Sequence, residues 1–299
     1  MEDNVFGDTP IAEAARRAAQ IRSLNADKLP APEETRIIAV ANQKGGVGKT
    51  TTAVNLAAAL SLAGLKVLVI DLDPQGNAST ALGVEHYSGT LSSYEMLIGQ
   101  CEPSEATYPS SFTDNLYCIP ATLDLAGAEI ELVSIVRREY RLADALAKID
   151  GYDYIFIDCP PSLGLLTINA MTAATEVLLP IQCEYYALEG VGQLLNNITM
   201  IRDNLNYRLH ISAIVLTMFD GRTKLSAQVE NEVRGHFGEL VLHNIIPRSV
   251  KVSEAPGYAQ TVLEYDPGSP GAGAYMEAAT ELATRGTMDG YEPNPKDEG

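Results

Sequence analysis

Short apolar runs recur along the chain, and most of them end at a polar or glycine-rich segment. Such runs, rich in Val, Ile and Leu, are typical of strands buried on both faces of a parallel sheet. Longer stretches with apolar residues at helical spacing lie between them. Strands that alternate with helices predict an α/β fold, a doubly wound and mostly parallel sheet with helices on both faces. The predicted strands are residues 37–41, 66–70, 116–119, 152–158, 176–181, 209–217 and 242–246.

The helical stretches and the composition of the two ends predict one central domain over residues 36–285. Residues 1–35 form an N-terminal extension, partly helical or disordered, whose alanine-rich segment 11–22 is compatible with a helix. Its arginines either contact DNA or a partner, or belong to a loosely held terminal helix. The tail, residues 286–299, is acidic and predicted to be disordered. The predicted helices are 51–62, 123–149 (apolar face Leu132, Val136, Leu142 and Leu146), 163–173, 225–237 and 273–284, and one that ends at Asn204.

A glycine-rich loop follows the first predicted strand, with the sequence KGGVGKTT from Lys44 to Thr51. Glycines let the backbone curl so that successive N–H groups point into one concavity, which suits an anion. The helix that begins near Lys49 adds the positive end of its dipole. In a phosphate-binding loop, this lysine bridges the β- and γ-phosphates and the hydroxyl of Thr50 holds Mg²⁺. The sequence therefore predicts a site for a nucleoside triphosphate with Mg²⁺.

Two other predicted strands end in carboxylates. Asp71 and Asp73 follow the strand 66–70, and alternation places them on the same side of an extended segment. Asp158 is followed by Cys-Pro-Pro-Ser, a pattern in which the carboxylate accepts a water of the Mg²⁺ shell or contacts Thr50. Ligands of open α/β folds bind at the carboxyl edge of the sheet, so these aspartates are candidates for the nucleotide site. An aspartate at a strand end also often caps a helix or forms a turn, and that alternative stays open.

The net charge indicates which partners the protein can bind, and the cysteine content indicates the redox state of its compartment. The formal net charge of −18 repels nucleic acid and anionic membranes, so any DNA binding must come from a local basic patch and weaken with salt. The start, MEDNVFGDTP, is acidic, and no apolar run is long enough to cross a membrane, so we expect neither a signal peptide nor a membrane span. The four cysteines are scattered without C-x-x-C spacing, which indicates buried thiols in a reducing cytoplasm.

The glycine loop departs from the ordinary pattern G-x-x-x-x-G-K-[ST], because Gln43 replaces the first glycine and Lys44 adds a second lysine. The octapeptide KGGVGKTT resembles the deviant Walker A motif of the ParA/Soj family, within the ParA/MinD superfamily. DLDPQGN at 71–77 resembles the family's Walker A′ element, and FIDCPPS at 156–162 resembles its Walker B element. The resemblance extends to the segments 180–190 and 246–256 and covers roughly residues 36–285.

The resemblance implies roles in catalysis and metal binding. In the family, the residue at Lys44 reaches across to the nucleotide of a partner subunit, and the one at Asp73 orients the attacking water. The catalytic residues would then be Lys44, Lys49 and Asp73. The metal contacts would be Thr50, Asp71 and Asp158.

The resemblance also implies where the nucleotide lies. The family seats adenine at the strand end that holds Thr217 and Met218, and the GTPase motif N-K-x-D is absent there, so ATP is favoured over GTP. The segment 246–256 would flank the base. The predicted nucleotide-binding residues are Lys44, Gly45, Gly46, Val47, Gly48, Lys49, Thr50, Thr51, Thr217, Met218, Pro247 and Arg248.

The function that the resemblance implies is an assembly cycle with ATP and Mg²⁺ as cofactors. ATP would favour a homodimer, the dimer would bind DNA nonspecifically, and slow hydrolysis stimulated by a ParB-like protein would release it. Such a protein is cytoplasmic and nucleoid-associated, and it segregates a chromosome or a plasmid. The residues implied to contact DNA are Arg222, Lys224, Arg248 and Lys251.

The same motifs allow two other interpretations. The four cations are also compatible with solvated surface charges, in which case the protein is an ATP-switched scaffold that positions a protein cargo. A MinD-like regulator of the division site would end in a basic amphipathic helix that lies on a membrane. The tail YEPNPKDEG cannot form such a helix, so no membrane partner is expected.

Overall fold

The computed structural model describes residues 9–23 and 29–285. Within them, seven strands form one sheet in which the strand nearest one edge is antiparallel to its neighbour and all other neighbours are parallel. The strands are β1 (Arg36–Val40), β2 (Val67–Asp71), β3 (Tyr108–Pro109), β4 (Leu116–Ile119), β5 (Tyr154–Asp158), β6 (Glu176–Gln182) and β7 (His210–Thr217). Their order across the sheet is β3-β4-β2-β5-β1-β6-β7.

Helices connect most of the strands. Those found within the described residues are α1 (Pro10–Ser23), α2 (Lys49–Leu62), α3 (Asn77–Ala81), α4 (Ser93–Ile98), α5 (Leu125–Leu132), α6 (Arg141–Leu146), α7 (Leu165–Ala173), α8 (Val191–Asn204), α9 (Lys224–Phe237), α10 (Val250–Glu254), α11 (Val262–Tyr265) and α12 (Pro270–Arg285). Short 3-10 turns lie at Arg138–Tyr140, Gly238–Leu240 and Ala255–Tyr258.

The sheet separates two hydrophobic layers, because successive side chains of a strand point to opposite faces. On β5, Ile155 and Ile157 belong to one layer, whereas Tyr154 and Phe156 belong to the other. Helices α5 to α9 pack on the first layer, and α2, α11 and α12 pack on the second. Helices therefore cover both faces of a mostly parallel sheet, which confirms the predicted fold class.

The middle of the sheet brings three strand ends together. The register pairs Asp158, the last residue of β5, with Val40 of β1 on one side and with Asp71 of β2 on the other. Because parallel strands end at the same edge, the segments that follow β1, β2 and β5 lie side by side. The glycine loop and the two aspartate motifs are therefore neighbours.

The predicted single helix over 123–149 is wrong. Helix α5 ends at Leu132, and α6 begins only at Arg141, after a 3-10 turn. Arg137 between them has a left-handed backbone, with φ of 57°, and Val136, predicted on the apolar face, is 85% exposed. The spacing of apolar residues indicated one helix because α5 and α6, two short helices, bury their apolar residues in the same layer. The other predicted members of that face, Leu132, Leu142 and Leu146, are buried.

The predicted strand over 242–246 is also wrong. The segment touches β7 at two separate points, where the N–H groups of Leu242 and Ile246 donate to the carbonyls of Ile214 and Leu216, both at 2.9 Å. Between these points the backbone N–H groups turn away and donate to the carboxylate of Glu281 on α12. The pairing of this apolar segment with β7 is therefore interrupted by hydrogen bonds to Glu281.

Helix α1 packs against the segment that leads into α12. Ile21 is buried in the second layer, and Arg17 Nε donates to the carbonyl of Gly268 at 3.1 Å. A Cβ at Gly268 would lie 2.9 Å from the carbonyl oxygen of Ala14, so the two backbones are in close contact. The acidic tail, 286–299, lies outside the described residues.

Candidate functional site

The glycine loop between β1 and α2 is shaped as an anion cradle. Gly46 and Gly48 have φ of 76° and 90°, values that favour glycine because a side chain is strained there. Among the described residues, no acceptor bonds the N–H groups of Gly45, Gly46 and Gly48. Helix α2 begins directly after the loop with no side-chain cap and no acidic residue in its first turn. Its N-terminus is therefore open to a negatively charged ligand.

Lys49 is the buried cation of this loop, with only 7% of its surface exposed. Its ammonium donates to the carbonyl of Lys44 at 3.2 Å. Burial lowers the pKa of Lys49, and the negative charges of Asp158 and Asp73 oppose that shift. Lys44 is held in turn by Asn42, whose Oδ1 accepts from the Lys44 N–H at 3.0 Å.

Asp71 and Asp158 lie side by side on β2 and β5, and both are 0% exposed. Asp71 Oδ1 accepts from the N–H of Asp73 at 3.1 Å, and Oδ2 accepts from the N–H and hydroxyl of Ser79 at 2.9 and 2.7 Å. Burial raises the pKa of Asp71 to about 6, although these hydrogen bonds favour its charged form. Asp71 is thus built into the protein on both oxygens.

Asp158 has no such support. Neither of its carboxylate oxygens has a hydrogen-bond partner among the described residues. Burial raises its pKa well above the ordinary value, and the charge of Asp71 adds to that rise, whereas the nearby Thr50 hydroxyl and Lys49 ammonium oppose it. A buried carboxylate without a partner is costly. Such a group is therefore a candidate ligand for a cation.

The donor set around Asp158 fits Mg²⁺. Within residues 9–23 and 29–285, no three His, Cys, Asp or Glu side chains are arranged to hold a metal by themselves. Mg²⁺ prefers oxygen ligands and keeps several waters, so it binds through one or two carboxylates together with substrate phosphates. Asp158, Asp71 and the hydroxyl of Thr50 offer such oxygens beside the phosphate loop.

A cleft of about 390 Å³ opens over the loop, a size that suits a small ligand. Asp73 lies in its wall, 8% exposed, and its Oδ1 accepts from the N–H of Gln75 at 3.0 Å. The predicted site residues that line the cleft are Gly45, Gly46, Gly48, Lys49, Thr50, Thr51, Asp73 and Met218. Residues that sequence reasoning did not assign, although most lie in the quoted motifs, are Val54, Gln75, Asn77, Ala81, Pro161 and Pro256.

The predicted adenine residues occupy different positions around this cleft. Met218 lines it and has a left-handed backbone with φ of 53°. Thr217 is buried, and its hydroxyl donates to the carbonyl of Val47 at 2.8 Å, so it supports the loop from behind. Pro247 and Arg248 do not line the cleft. Their backbone lies beside Phe219, since the Arg248 N–H donates to the Phe219 carbonyl at 2.9 Å.

The predicted DNA-binding cations are all exposed, but two of them are paired. Arg222 contacts both carboxylate oxygens of Asp220, at 2.8 and 2.6 Å, and this contact lowers the pKa of Asp220 to about 2. Lys251 lies 3.1 Å from Glu254. The other two cations, Lys224 and Arg248, form no ion pair with a residue that the structure describes. We call these four residues the basic patch.

No helix among the described residues has the length and apolar character needed to cross a membrane.

Comparison with known proteins places this chain in a family. A family model described as an AAA domain matches residues 35–211. The sporulation initiation inhibitor protein Soj of Bacillus subtilis is 50% identical over 252 residues, which cover 84% of this chain and 99% of that protein. The chromosome partitioning protein ParA of Caulobacter vibrioides is 50% identical over 253 residues, which cover 84% of this chain and 94% of that protein.

A solved structure supports the same assignment of fold and ligand class. A Mycobacterium smegmatis protein named cobyrinic acid a,c-diamide synthase, with ADP and magnesium bound, is 40% identical. Its TM-score is 0.73, and the match covers 87% of this chain and 100% of that one. The same protein has also been solved with an ATP analogue and magnesium. These relatives bear out the predicted cofactors, an adenine nucleotide and Mg²⁺.

Proposed function

The chain belongs to the ParA/Soj family of partitioning ATPases, and we propose that it hydrolyses ATP with Mg²⁺ to drive chromosome segregation. In this proposal ATP joins two copies of the chain, and the dimer binds DNA without sequence preference. A ParB-like protein stimulates hydrolysis and release, and the protein is nucleoid-associated in the cytoplasm. One observation carries the proposal: a phosphate-binding loop lies beside a buried carboxylate, Asp158, that lacks partners within the described residues.

Triphosphate binding is supported by the charges around the loop. Within the part of the chain that the structure describes, the Lys49 ammonium bonds only a neutral carbonyl, and a phosphate oxygen would give it a stronger, charge-assisted hydrogen bond. The free N–H groups of the loop and the start of α2 face the same ligand. Mg²⁺ held by Thr50 and Asp158 would neutralise charge on the phosphates. The chain's own groups are thus in place before charge develops on the transferred phosphoryl group.

Asp73 is the residue that we assign to the attacking water. It lies in the wall of the cleft, and the N–H of Gln75 fixes one of its oxygens. The other oxygen is then left to orient a water for in-line attack on the γ-phosphate. Asp71 does not take this role, because it is fully buried and does not line the cleft.

Lys44 is assigned to the nucleotide of a second copy. It is half-buried and does not line its own cleft, and its contributions there are a carbonyl that accepts from Lys49 and an N–H that donates to Asn42. A side chain held at the loop but outside its own cleft suits a contact in trans. ATP then stabilises the dimer, because each nucleotide is bound by groups from both copies.

DNA binding is assigned to the basic patch of the dimer. With a net charge of −18 and two of four cations already paired, one copy offers few contacts to phosphates. Two patches held in one dimer add their contacts without a second loss of translational freedom. Affinity for DNA then depends on the nucleotide and falls steeply with salt.

Two variants of the full chain test this function through ATP binding, hydrolysis and retention on nonspecific DNA at low salt. Lys49→Ala should lose ATP binding, because it leaves the phosphates without their buried cation. Asp73→Ala should bind Mg²⁺-ATP, remain dimeric and stay on DNA, while its hydrolysis falls roughly a hundredfold or more. Normal hydrolysis by Asp73→Ala would contradict the assignment of the attacking water.

An ATP-switched scaffold for a protein cargo is the second candidate. The ion pairs of Arg222 and Lys251 favour it, because paired cations are less available to phosphates. The deciding measurement is retention of the wild-type chain on nonspecific DNA with ATP, with ADP and without nucleotide, and the same for Arg222→Glu. Absence of retention in every state would favour the scaffold.

A further inference from the structure

Gly76, in the turn that follows Asp73, is enclosed by the ring of His86. The N–H of Gly76 donates to the Asp73 carbonyl at 2.9 Å, and its φ is 64°. A Cβ at Gly76 would lie 2.8 Å from Cδ2 of His86 and 3.2 Å from the carbonyl oxygen of Ala121. The imidazole therefore packs directly on the backbone of the turn, which we call the Asp73 turn (residues 73–77).

A chain of polar contacts joins the same ring to the same turn. His86 Nδ1 lies 3.0 Å from the carbonyl of Val84 and must donate to it, because a carbonyl only accepts. His86 Nε2 lies 3.4 Å from the hydroxyl of Thr80. That hydroxyl has one proton, which it donates either to the carbonyl of Gly76 at 3.0 Å or to Nε2, the acceptor of a neutral ring whose Nδ1 donates. His86 thus links the segment after α3 to the residue that closes the Asp73 turn.

Ser79, the residue of α3 before Thr80, holds the carboxylate of Asp71. Ser79 donates to Asp71 through its N–H and its hydroxyl, and its Oγ accepts from the N–H of Ala121 at 3.0 Å. Helix α3 is therefore fixed at Ser79 toward Asp71 and at Thr80 toward Gly76. Because Gln75 bonds the Asp73 carboxylate, a shift of Gly76 also shifts the carboxylate that faces the cleft.

We propose that His86 is a positioning residue for hydrolysis, which holds the Asp73 turn in place without touching the nucleotide. His86 does not line the cleft, so its loss should leave binding of the nucleotide intact. This inference rests on the proposed role of Asp73. It assigns a function to a histidine that lies outside all of the motifs quoted above.

The test compares steady-state ATP hydrolysis with equilibrium binding of a non-hydrolysable ATP analogue and Mg²⁺, using the full chain. His86→Ala should lower kcat roughly tenfold, since small misplacements of a catalytic group are costly, while analogue affinity stays within about twofold. His86→Phe keeps a ring over Gly76 but has no nitrogen, so we expect the same loss of kcat. His86→Gln should recover most of kcat, because its amide oxygen can accept from the Thr80 hydroxyl, as Nε2 of the neutral ring does. Tyr87→Ala, at a position 71% exposed, is the matched control and should behave as wild type.

The inference alone is overturned by normal kcat in both His86→Ala and His86→Phe while Asp73→Ala is inactive, or by a loss of analogue affinity in parallel with kcat. Failure of His86→Gln to recover kcat also overturns it. Normal hydrolysis by Asp73→Ala would instead overturn the proposed function on which the inference rests. Should His86→Ala fail to fold, as judged by its thermal unfolding midpoint, the Phe and Gln variants decide the question.

Discussion

The phosphate site and the basic patch use charge in opposite ways. Around the loop, Asp158 and Lys49 are buried, and Asp158 has no hydrogen-bond partner among the described residues. On the patch, Arg222 and Lys251 are exposed, and each is paired with a carboxylate of its own chain. A buried charge without a partner favours ligand binding strongly. The ligand replaces the interactions with water that the charge lost on folding, and so it offsets the free energy of desolvation. Exposed paired charges gain little from exchanging one anion for another.

The largest effect that this comparison leads us to expect is for Asp158→Asn. The amide has nearly the same shape but carries no charge for a cation, so Mg²⁺-dependent ATP binding should fall about a hundredfold or more. Without nucleotide, removing a buried carboxylate should raise the unfolding midpoint by about 2 to 4 °C, the shift that ~1 kcal/mol gives in a domain of roughly this size. Calorimetry with and without Mg²⁺-ATP measures both.

The matched control for Asp158→Asn is Asp220→Asn, the same substitution at a partly buried carboxylate that is paired with Arg222. It should leave ATP binding unchanged and should not raise the midpoint. If the two variants changed ATP binding and the unfolding midpoint equally, the proposed contrast between the phosphate site and the basic patch would be wrong.

Stability of the nucleotide-free protein should depend on pH for the same reason. Burial raises the pKa of Asp71 to about 6 and that of Asp158 well above its ordinary value. A carboxyl whose folded-state pKa is raised contributes stability below its unfolded-state pKa and loses it as pH rises through the folded value. The free energy of unfolding should therefore fall between pH 4 and pH 6 or above, by up to about 1.4 kcal/mol per pH unit for each group.

Urea unfolding at several pH values checks this dependence, and saturating Mg²⁺-ATP should flatten it. Glu281 does not interfere, because its pKa is lowered to about 2 and its contribution is lost only at lower pH. If the free energy of unfolding without nucleotide did not change over this pH range, the charged forms of Asp71 and Asp158 would not destabilise the folded protein, and the contrast with the basic patch would fail.

Much of the fold and the core of the site could be predicted because both follow from local patterns. The strand-loop-helix around Lys49 combines an apolar run with a glycine-rich loop, and both features are visible in the sequence itself. The break at Arg137 and the anchoring of residues 243–244 by Glu281 could not be predicted. They depend on which distant elements pack together, and spacing along the chain does not carry that information.

The same distinction applies to the site residues: those in local motifs could be predicted, whereas contacts between distant segments could not. Asp71, Asp73 and Asp158 were found from the strands that they end, and the sheet brings them together. The support of the loop by Thr217 and the packing of His86 on Gly76 were not foreseen, because each contact joins segments that no motif connects. The pairing of Arg222 with Asp220 is also not predicted, although the two lie close in sequence, because the resemblance assigns a role to the cations alone.

The smallest effect that we expect is a gain in DNA affinity when the paired acids of the patch are neutralised. Asp220→Asn and Glu254→Gln each release one cation, so affinity of the ATP-bound protein for nonspecific DNA should rise about two- to fivefold at low salt. The slope of log affinity against log salt should steepen by about one for each cation that gains a phosphate contact. Glu102→Gln is the matched control, since it removes an exposed partner of Lys148 and changes net charge equally outside the patch. An equal gain in Glu102→Gln would assign the effect to overall charge, and no gain in the patch variants would show that their cations do not contact DNA.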